Sequence, residues 1–545
     1  ELRNTTGAIA NLDGYKVRSL PDGATTPDIY ALPPGIRIPA GGRLLLWADE
    51  ENNGVHMSIE LDMDGGEIAL LGPGGAVIDS VTLGAQQPDV SYGRLPGGNW
   101  AYFDQPTPDA ANNTPGFPDY DFAAAPTFSV AGGRHAGPLA VALATTQPGA
   151  TIRYTRDGSI PTAASPVYSA PLAVNTTTVI RARTFAPGKM TSPTQSQSYL
   201  VNVPANLPAV SIATSPAHMF DNRIGIFVVG TNGLLNCARR ANWNRPWERP
   251  ASVEFYDANG ALMVAQDIGF EIHGNCSRNL NMKSFELKAR KVYGDNDFDY
   301  PFFSDKPLTS YRRLILRTGG QDAAFSMLRD ALASRLVAGQ MDLDRGAYRP
   351  VAVYINGAYW GLYGLREKMD EDFVENTYGL DEETDFDALE ETAEVLAGNA
   401  VRWNAFHSYV SASDLANPAV YAYVKTQMDV DEFINYQIAE IYAGNRDWPH
   451  QNVRMWRGYA ADSRWRWMFH DVDYGFGLRV KNGFRQNTLQ QAMKADKRNA
   501  YGSLFMRKLS TNPEFRAEFA QRFAVHLNTT YEPARVLGIV NDMAA

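Results

Sequence analysis

The stretch that decides the architecture of the second half of the chain begins N-R-D-W-P-H-Q-N, from Asn445 to Asn452. It continues through R-M-W-R-G-Y (454–459) and W-R-W-M-F (465–469) to H-D-V-D-Y-G (470–475). Its two middle strings, rich in aromatic residues, read as the two strands of a hairpin. Just upstream, V-D-E-F-I-N-Y-Q-I-A-E-I-Y-A-G (430–444) has the pattern of an amphipathic helix. The unit therefore reads as helix, loop, strand, strand, loop. Asp447 and Asn452 fall in the first loop, and Asp471 and Asp473 in the second. A hairpin places both loops at strand ends, facing one cleft.

Working outward, the same α+β character holds from about residue 207. S-M-L-R-D-A-L-A-S-R-L-V-A-G (326–339) sets Leu328, Leu332 and Leu336 on one helical face. P-V-A-V-Y-I-N-G (350–357) is a strand ending in an N-G turn, with A-Y-W-G-L-Y-G-L-R-E as its partner. M-K-S-F-E-L-K-A-R (282–290) alternates as a strand, with Met282, Ser284 and Glu286 on one face and Lys283, Phe285 and Leu287 on the other. Helices are also expected in N-G-F-R-Q-N-T-L-Q-Q-A-M-K and F-R-A-E-F-A-Q-R-F-A-V-H-L near the C-terminus. Residues 1–118 are different. Short strands (15–19, 43–48, 67–71, 76–83) are separated by D-G, A-G-G, D-G-G and P-G-G turns. Residues 124–202 form a second β-module, and V-N-V-P-A-N-L-P (201–208) is a Pro-punctuated linker.

The chain has 545 residues, is 44% hydrophobic and carries a formal net charge of −10, so several packed domains are expected and a nucleic-acid binder is not. No apolar run approaches the length of a membrane span. No signal peptide is recognisable at Glu1, which reads as the start of a processed or truncated product. Cys237 and Cys276 read as a disulfide or as two buried thiols, ahead of a metal site with His273, which no C-x-x-C or H-x-x-x-H spacing supports. The acidic run L-D-E-E-T-D-F-D-A-L-E-E-T-A-E (380–394) reads first as a solvated helix face, and second as an attractant for a basic substrate.

Three resemblances follow from the strings. E-L-R-N-T-T-G-A-I-A-N-L-D-G-Y-K-V, I-P-A-G-G-R-L-L-L-W-A-D-E and P-T-P-D-A-A-N-N-T-P-G together resemble a lamin-tail domain, an immunoglobulin-like sandwich. The second module, through Y-T-R-D-G-S-I-P-T (154–162), resembles the small β-sandwich at the C-terminus of chitobiases, where it is an accessory that spaces domains or binds glycan. W-E-R-P-A-S-V-E-F-Y-D-A-N-G, G-F-E-I-H-G-N-C-S-R-N-L-N-M-K-S-F-E-L-K-A-R, L-I-L-R-T-G-G-Q-D and N-R-D-W-P-H-Q-N-V-R-M-W-R, in that order, resemble the CotH family of atypical protein kinases. The implied whole is two all-β immunoglobulin-like sandwiches (1–118 and 124–202) before an α+β, two-lobed kinase-like domain (207–545). The implied activity is that of a secreted or surface-attached kinase, moving the ATP γ-phosphate to Ser/Thr hydroxyls of partner proteins with Mg²⁺ or Mn²⁺. Surface glycans or other surface proteins are the expected partners of the β-modules.

The chemistry assigns the roles. Asp447 and Asn452 have the D-x-x-x-x-N spacing of a kinase catalytic loop, in which the Asp orients the acceptor hydroxyl and the Asn holds metal. Asp471 follows the W-R-W-M-F strand and is the expected main metal ligand, with Asp473 supporting. Phosphates need a cation on a strand. Lys283, on an apolar face where an unpaired charge is costly, is that candidate, with Arg278 adding a second contact. The resemblance names Glu367 as the carboxylate that holds Lys283, with Asp330 as the alternative. His450 and His470 are expected to hydrogen-bond around the site rather than to bind metal. No G-x-G-x-x-G loop is present, and R-T-G-G-Q-D (317–322) is the nearest Gly-rich string. AMP transfer would use the same residues, and an inactive surface scaffold is the reading from outside enzymology.

Overall fold

A computed structural model of the chain describes residues 1–48, 52–59, 61–382 and 384–545. Asp49 and Glu50 of the lamin-tail-like strings, and Glu383 of the acidic run, lie outside them. The N-terminal region is β-rich. Strands β1 (Lys16–Pro21), β2 (Asp28–Ala31), β3 (Gly66–Leu71) and β4 (Val77–Leu83) form one sheet in the order β4-β3-β1-β2. The strand expected over 43–48 is two short ones. Arg43–Leu44 pairs antiparallel with Leu2–Arg3, whereas Trp47–Ala48 pairs parallel with His56–Met57, so the chain changes partner between them. Leu12, Val17, Tyr30, Leu32 and Ile38 make the small core.

The second module carries β5 (Gly133–His135), β6 (Thr151–Thr155), β7 (Thr178–Phe185) and β8 (Gln195–Val201), in the order β5-β8-β7-β6. It is docked, not merely tethered, against the domain that follows. Buried Arg181 donates to Gly158 O (2.9 Å) and to Ser252 Oγ (3.0 Å), and Tyr256 donates to Ser198 O (3.2 Å) and Glu254 (2.7 Å). Burial pushes the Glu254 carboxyl up to about 7, against the opposing pull of its Ser198 and Tyr256 hydrogen bonds.

The third region opens with a closed barrel. Its strands are β9 (Ala209–Ala213), β10 (Arg249–Tyr256), β11 (Leu262–His273), β12 (Ser284–Lys288), β13 (Arg313–Arg317), β14 (Tyr348–Ile355) and β15 (Ala358–Glu367). They close in the order β9-β10-β11-β12-β13-β15-β14. Only the closing pair, β9 with β14, is parallel. Strict alternation builds it: Phe285 and Leu287, Leu314 and Leu316, Tyr363 and Leu365 all enter one core. The outward face of β12, β13 and β15 carries Glu286, Arg317 and Arg366, and the second half packs on it. Cys237 and Cys276 form a disulfide with Cα atoms 5.4 Å apart, tying the hairpin 234–241 to the turn before β12.

The second half holds α1 (Arg329–Val337), α2 (Val430–Ala443), α3 (Pro513–Asn528) and α4 (Pro533–Ala544). Its sheet contains β16 (Phe386–Glu390), β17 (Glu394–Ala397), β18 (Arg454–Gly458) and β19 (Arg466–Phe469), with Asp344–Arg345 beside β19. Asp429 caps α2 by accepting from Glu432 N, and Gly444, in the left-handed conformation, ends it. The predicted hairpin is β18–β19. Two expectations are corrected. The acidic run is not a helix face but the β16–β17 hairpin, because Phe386 and Ala388 alternate into a core and Glu391 and Ala393 turn the chain at positive φ. The helix expected from N-G-F-R-Q-N-T-L-Q-Q-A-M-K shrinks to Thr488–Ala492, started by Asn487, which accepts from Gln490 N. No helix among the described residues is long and apolar enough to cross a membrane.

Candidate functional site

Asp330 of α1 and the loop after β19 meet the barrel's outward face at Arg317. Its guanidinium lies 3.3 Å from Asp330 and 3.0 Å from Asp473, and is also paired with Asp471. Burial works against the Arg317 charge, but Asp471, Asp330 and Asp473 together raise its pKa, so it is permanently cationic. Asp330 is paired on its other side with Arg366 and accepts from Val472 N (2.9 Å). These contacts anchor the D-V-D turn to strand β13. Gly320, with φ of 53°, brings the R-T-G-G-Q-D loop in as well. Asp473 accepts from Gln321 N (2.9 Å), and a Cβ on Gly320 would overlap the Asp473 carboxylate.

Asn452 and Asp471 both take the left-handed conformation, and the Asn452 amide donates to Asp471 O (3.1 Å). The first loop is thereby latched to the second. Asp447 stands in the first loop, half-buried, with its pKa raised by burial and by Asp471 and lowered by Arg498 and Arg446. Burial, then Asp471, pushes Asp473 up to about 8. On α2, fully buried Glu440 has both carboxyl oxygens without a hydrogen-bond partner, and burial raises its pKa well above the usual range. His470 donates to or accepts from nothing charged. Its Nδ1 faces Met468 O (3.1 Å), and burial lowers its pKa to about 4, so it is neutral.

Burial first, and the neighbouring carboxylates second, raise the pKa values of Asp447, Asp473 and Glu440, which marks an unfavourable concentration of acid. An added divalent cation would relieve it, and the oxygen donors of Asp471, Asp473 and Asn452 suit Mg²⁺. Among the described residues no three His, Cys, Asp or Glu side chains make a ready metal cage. That agrees with the habit of Mg²⁺ to use one or two carboxylates and complete its shell with substrate phosphates and water. Beside Arg317 opens a cleft of about 300 Å³, lined also by Gly319, Asp330, Tyr348, Tyr363 and Arg366.

The structure thus gathers Asp447, Asn452, Asp471 and Asp473. It does not bring Lys283, Arg278 or Glu367 to them. Lys283 points into the mouth of the barrel, where its ammonium donates to Arg278 O (2.6 Å) and Leu280 O (2.8 Å) and lies 3.8 Å from the Trp243 ring centroid. Burial, then Arg239, lowers its pKa to about 8. Arg278 is spent on Trp243 O (3.1 Å), Gly274 O and Glu271 (3.5 Å). The expected Lys283–Glu367 pair does not form. Glu367 shares a rung with Leu314 and Leu287, so it lies two strands across from Lys283 and four residues, about 13 Å, further along. Glu367 instead accepts from Ala347 N (2.6 Å) and lies 3.4 Å from Lys306. The alternative, Asp330, pairs with Arg317 and Arg366. Sequence reasoning missed Arg317, Arg366 and Glu440. The position of Arg317, alternating with Leu314 and Leu316 just before the Gly-Gly pair, was the available signal.

Residues 270–545, half of the chain, match the model of the CotH kinase protein family. The chain belongs to the CotH family. The match starts inside β11, so β9 and β10 complete the barrel from outside it. Residues 130–196 match the chitobiase/beta-hexosaminidase C-terminal domain, which is the docked second module. Neither match extends to residues 1–118, and no lamin-tail domain is shown there. No curated protein matches the chain. In the CotH domain, then, the acid-rich loops 445–452 and 470–475 are the candidate active site, and the cleft meets them through Arg317 and Asp330, none of Asp447, Asn452, Asp471 or Asp473 lining it.

Proposed function

We propose that this CotH protein is an ATP-dependent atypical protein kinase acting on Ser/Thr hydroxyls of partner proteins outside the cell. The observation that carries the reading is the convergence of Asp447, Asn452, Asp471 and Asp473 at two latched loops beside a cleft, in a domain of this family. In the reaction the acceptor oxygen bonds to the γ-phosphorus, the bond from that phosphorus to the β,γ-bridging oxygen breaks, and ADP leaves. The hydroxyl proton passes to Asp447, whose raised pKa makes it a better acceptor than an ordinary aspartate. Asp471, Asp473 and Asn452 would hold the Mg²⁺ or Mn²⁺, which when bound neutralises phosphate charge. Arg317 holds both carboxylates in place, and orientation is most of what phosphoryl transfer asks of a protein. The disulfide supports an oxidising, extracellular location. Incubation with ATP and Mg²⁺ or Mn²⁺, read by intact mass, tests the reading. Added phosphate that disappears in Asp447→Ala and Asp471→Ala supports it. Added AMP keeps the site and changes the reaction. No nucleotide binding leaves a surface scaffold.

A further inference from the structure

The segment from Tyr474 to Arg498 carries Arg479, Lys481, Arg485, Lys494, Lys497 and Arg498 against a single acid, Asp496, in a chain whose net charge is −10. All six cations are exposed, and none has a carboxylate within ion-pair distance among the described residues. Other arginines of the domain, Arg313, Arg317, Arg402, Arg454 and Arg466 among them, pair with at least one acid each. Asp496, which accepts from Asn499 N (2.9 Å), Asn499 Nδ2 (2.7 Å) and Arg498 N (3.2 Å), offsets only one of the six charges. Aromatic rings are interleaved with the charges. Arg479 lies over Phe325 (5.8 Å) and Arg485 over Phe484 (5.5 Å), and Phe484 is 82% exposed.

The strip starts at the candidate active site. Arg498 reaches His450, three residues from Asp447, and Arg498 and Arg446 are the cations that act on the Asp447 carboxyl. The acidic run has part of its charge already matched, which leaves less of it for a basic substrate. Glu382, Asp387 and Glu390 are paired with Arg312, Arg402 and Arg454.

We propose that the strip Arg479–Arg498 is a docking surface for an acidic peptide segment, one whose Ser or Thr acceptor is flanked by Asp or Glu. The inference rests on the kinase reading for the acceptor, though not for the docking. A peptide suits the strip better than a nucleic acid. Charge beyond a Debye length of about 8 Å is screened at physiological salt, so a short acidic segment is governed by the local cations. A duplex, with one phosphate charge per roughly 1.7 Å, would extend over the rest of an acidic surface. Exposed rings beside the cations give such a peptide apolar purchase and lay the arginines ready for carboxylates.

Fluorescence anisotropy with the full chain tests this. The probes are labelled peptides of one length and one central Ser, flanked by Glu, by Gln or by Lys, and a labelled single-stranded oligonucleotide. The expected result is binding of the Glu peptide at least about tenfold tighter than the Lys peptide, abolished at about 1 M salt, where the Debye length is about 3 Å. Combined Arg479→Glu, Lys481→Glu and Arg485→Glu should reverse the preference. Equal binding of the Glu and Lys peptides, or tighter binding of the oligonucleotide, would overturn the proposal. Selective docking of the Glu peptide without phosphate transfer supports the surface and counts only against the kinase reading.

Discussion

Arg317 carries more of the candidate site than any other single residue, since three carboxylates converge on it from two elements. Removing one partner of a buried charge group strands the others. Arg317→Ala is therefore expected to lower stability by about 3–5 kcal/mol, read by urea denaturation. Arg317→Lys should recover only part of this, because one ammonium cannot reproduce the guanidinium fork. Asp447→Asn asks a different question. Asp447 holds no neighbour through its carboxylate, so the fold and nucleotide affinity should survive while kcat falls by roughly 10²–10⁴. The residue scale is also where sequence was least legible. Asp447, Asn452, Asp471 and Asp473 announce themselves by spacing, and they do come together. Arg317 looks like any arginine at a strand end. Lys283 looks like a phosphate-binding lysine, yet two carbonyls and the Trp243 ring satisfy it. Whether a polar atom already has a partner is a three-dimensional fact.

Among the elements, the hairpin 234–241 and the turn 276–280 depend on each other. The disulfide spans 39 residues of sequence, and closing a loop of that size is worth about 4 kcal/mol on the chain-entropy account. Cys237→Ser with Cys276→Ser should lower stability by up to that amount and speed hydrogen exchange in 276–283. Acidic loops 445–452 and 470–475, which the disulfide does not touch, should exchange as before. Elements with a strong period were legible: α2, the β14–β15 hairpin, β12 and the β18–β19 hairpin stand where the patterns put them. Closure of the barrel was not, because the parallel pairing of β9 with β14 joins residues about 140 apart in sequence and leaves no local trace. The acidic run misled for a related reason. Its charges look solvent-bound in sequence, but three of them face arginines from distant segments.

For the whole molecule, the second module and the barrel share a buried polar interface at Arg181, Ser252, Glu254 and Tyr256, which makes their joint stability pH-dependent. The folded-state pKa of Glu254, about 7, lies above the ordinary glutamate value of 4.5. Such a group's contribution is fully present below its unfolded pKa and is lost as pH rises through the folded one. Thermal stability should therefore fall between about pH 5 and pH 8 by an amount on the order of 3 kcal/mol from this group alone. Glu254→Gln should flatten that slope, and an unchanged slope would place the ionisation elsewhere. The central claim, phosphoryl transfer at the latched acid loops, is tested most directly by intact mass after incubation of the full chain with ATP and Mg²⁺, beside Asp447→Asn and Asp471→Asn. The account predicts added phosphate in the native chain and loss of nearly all of it, at equal incubation times, in either variant. Phosphate appearing undiminished in both variants would contradict it.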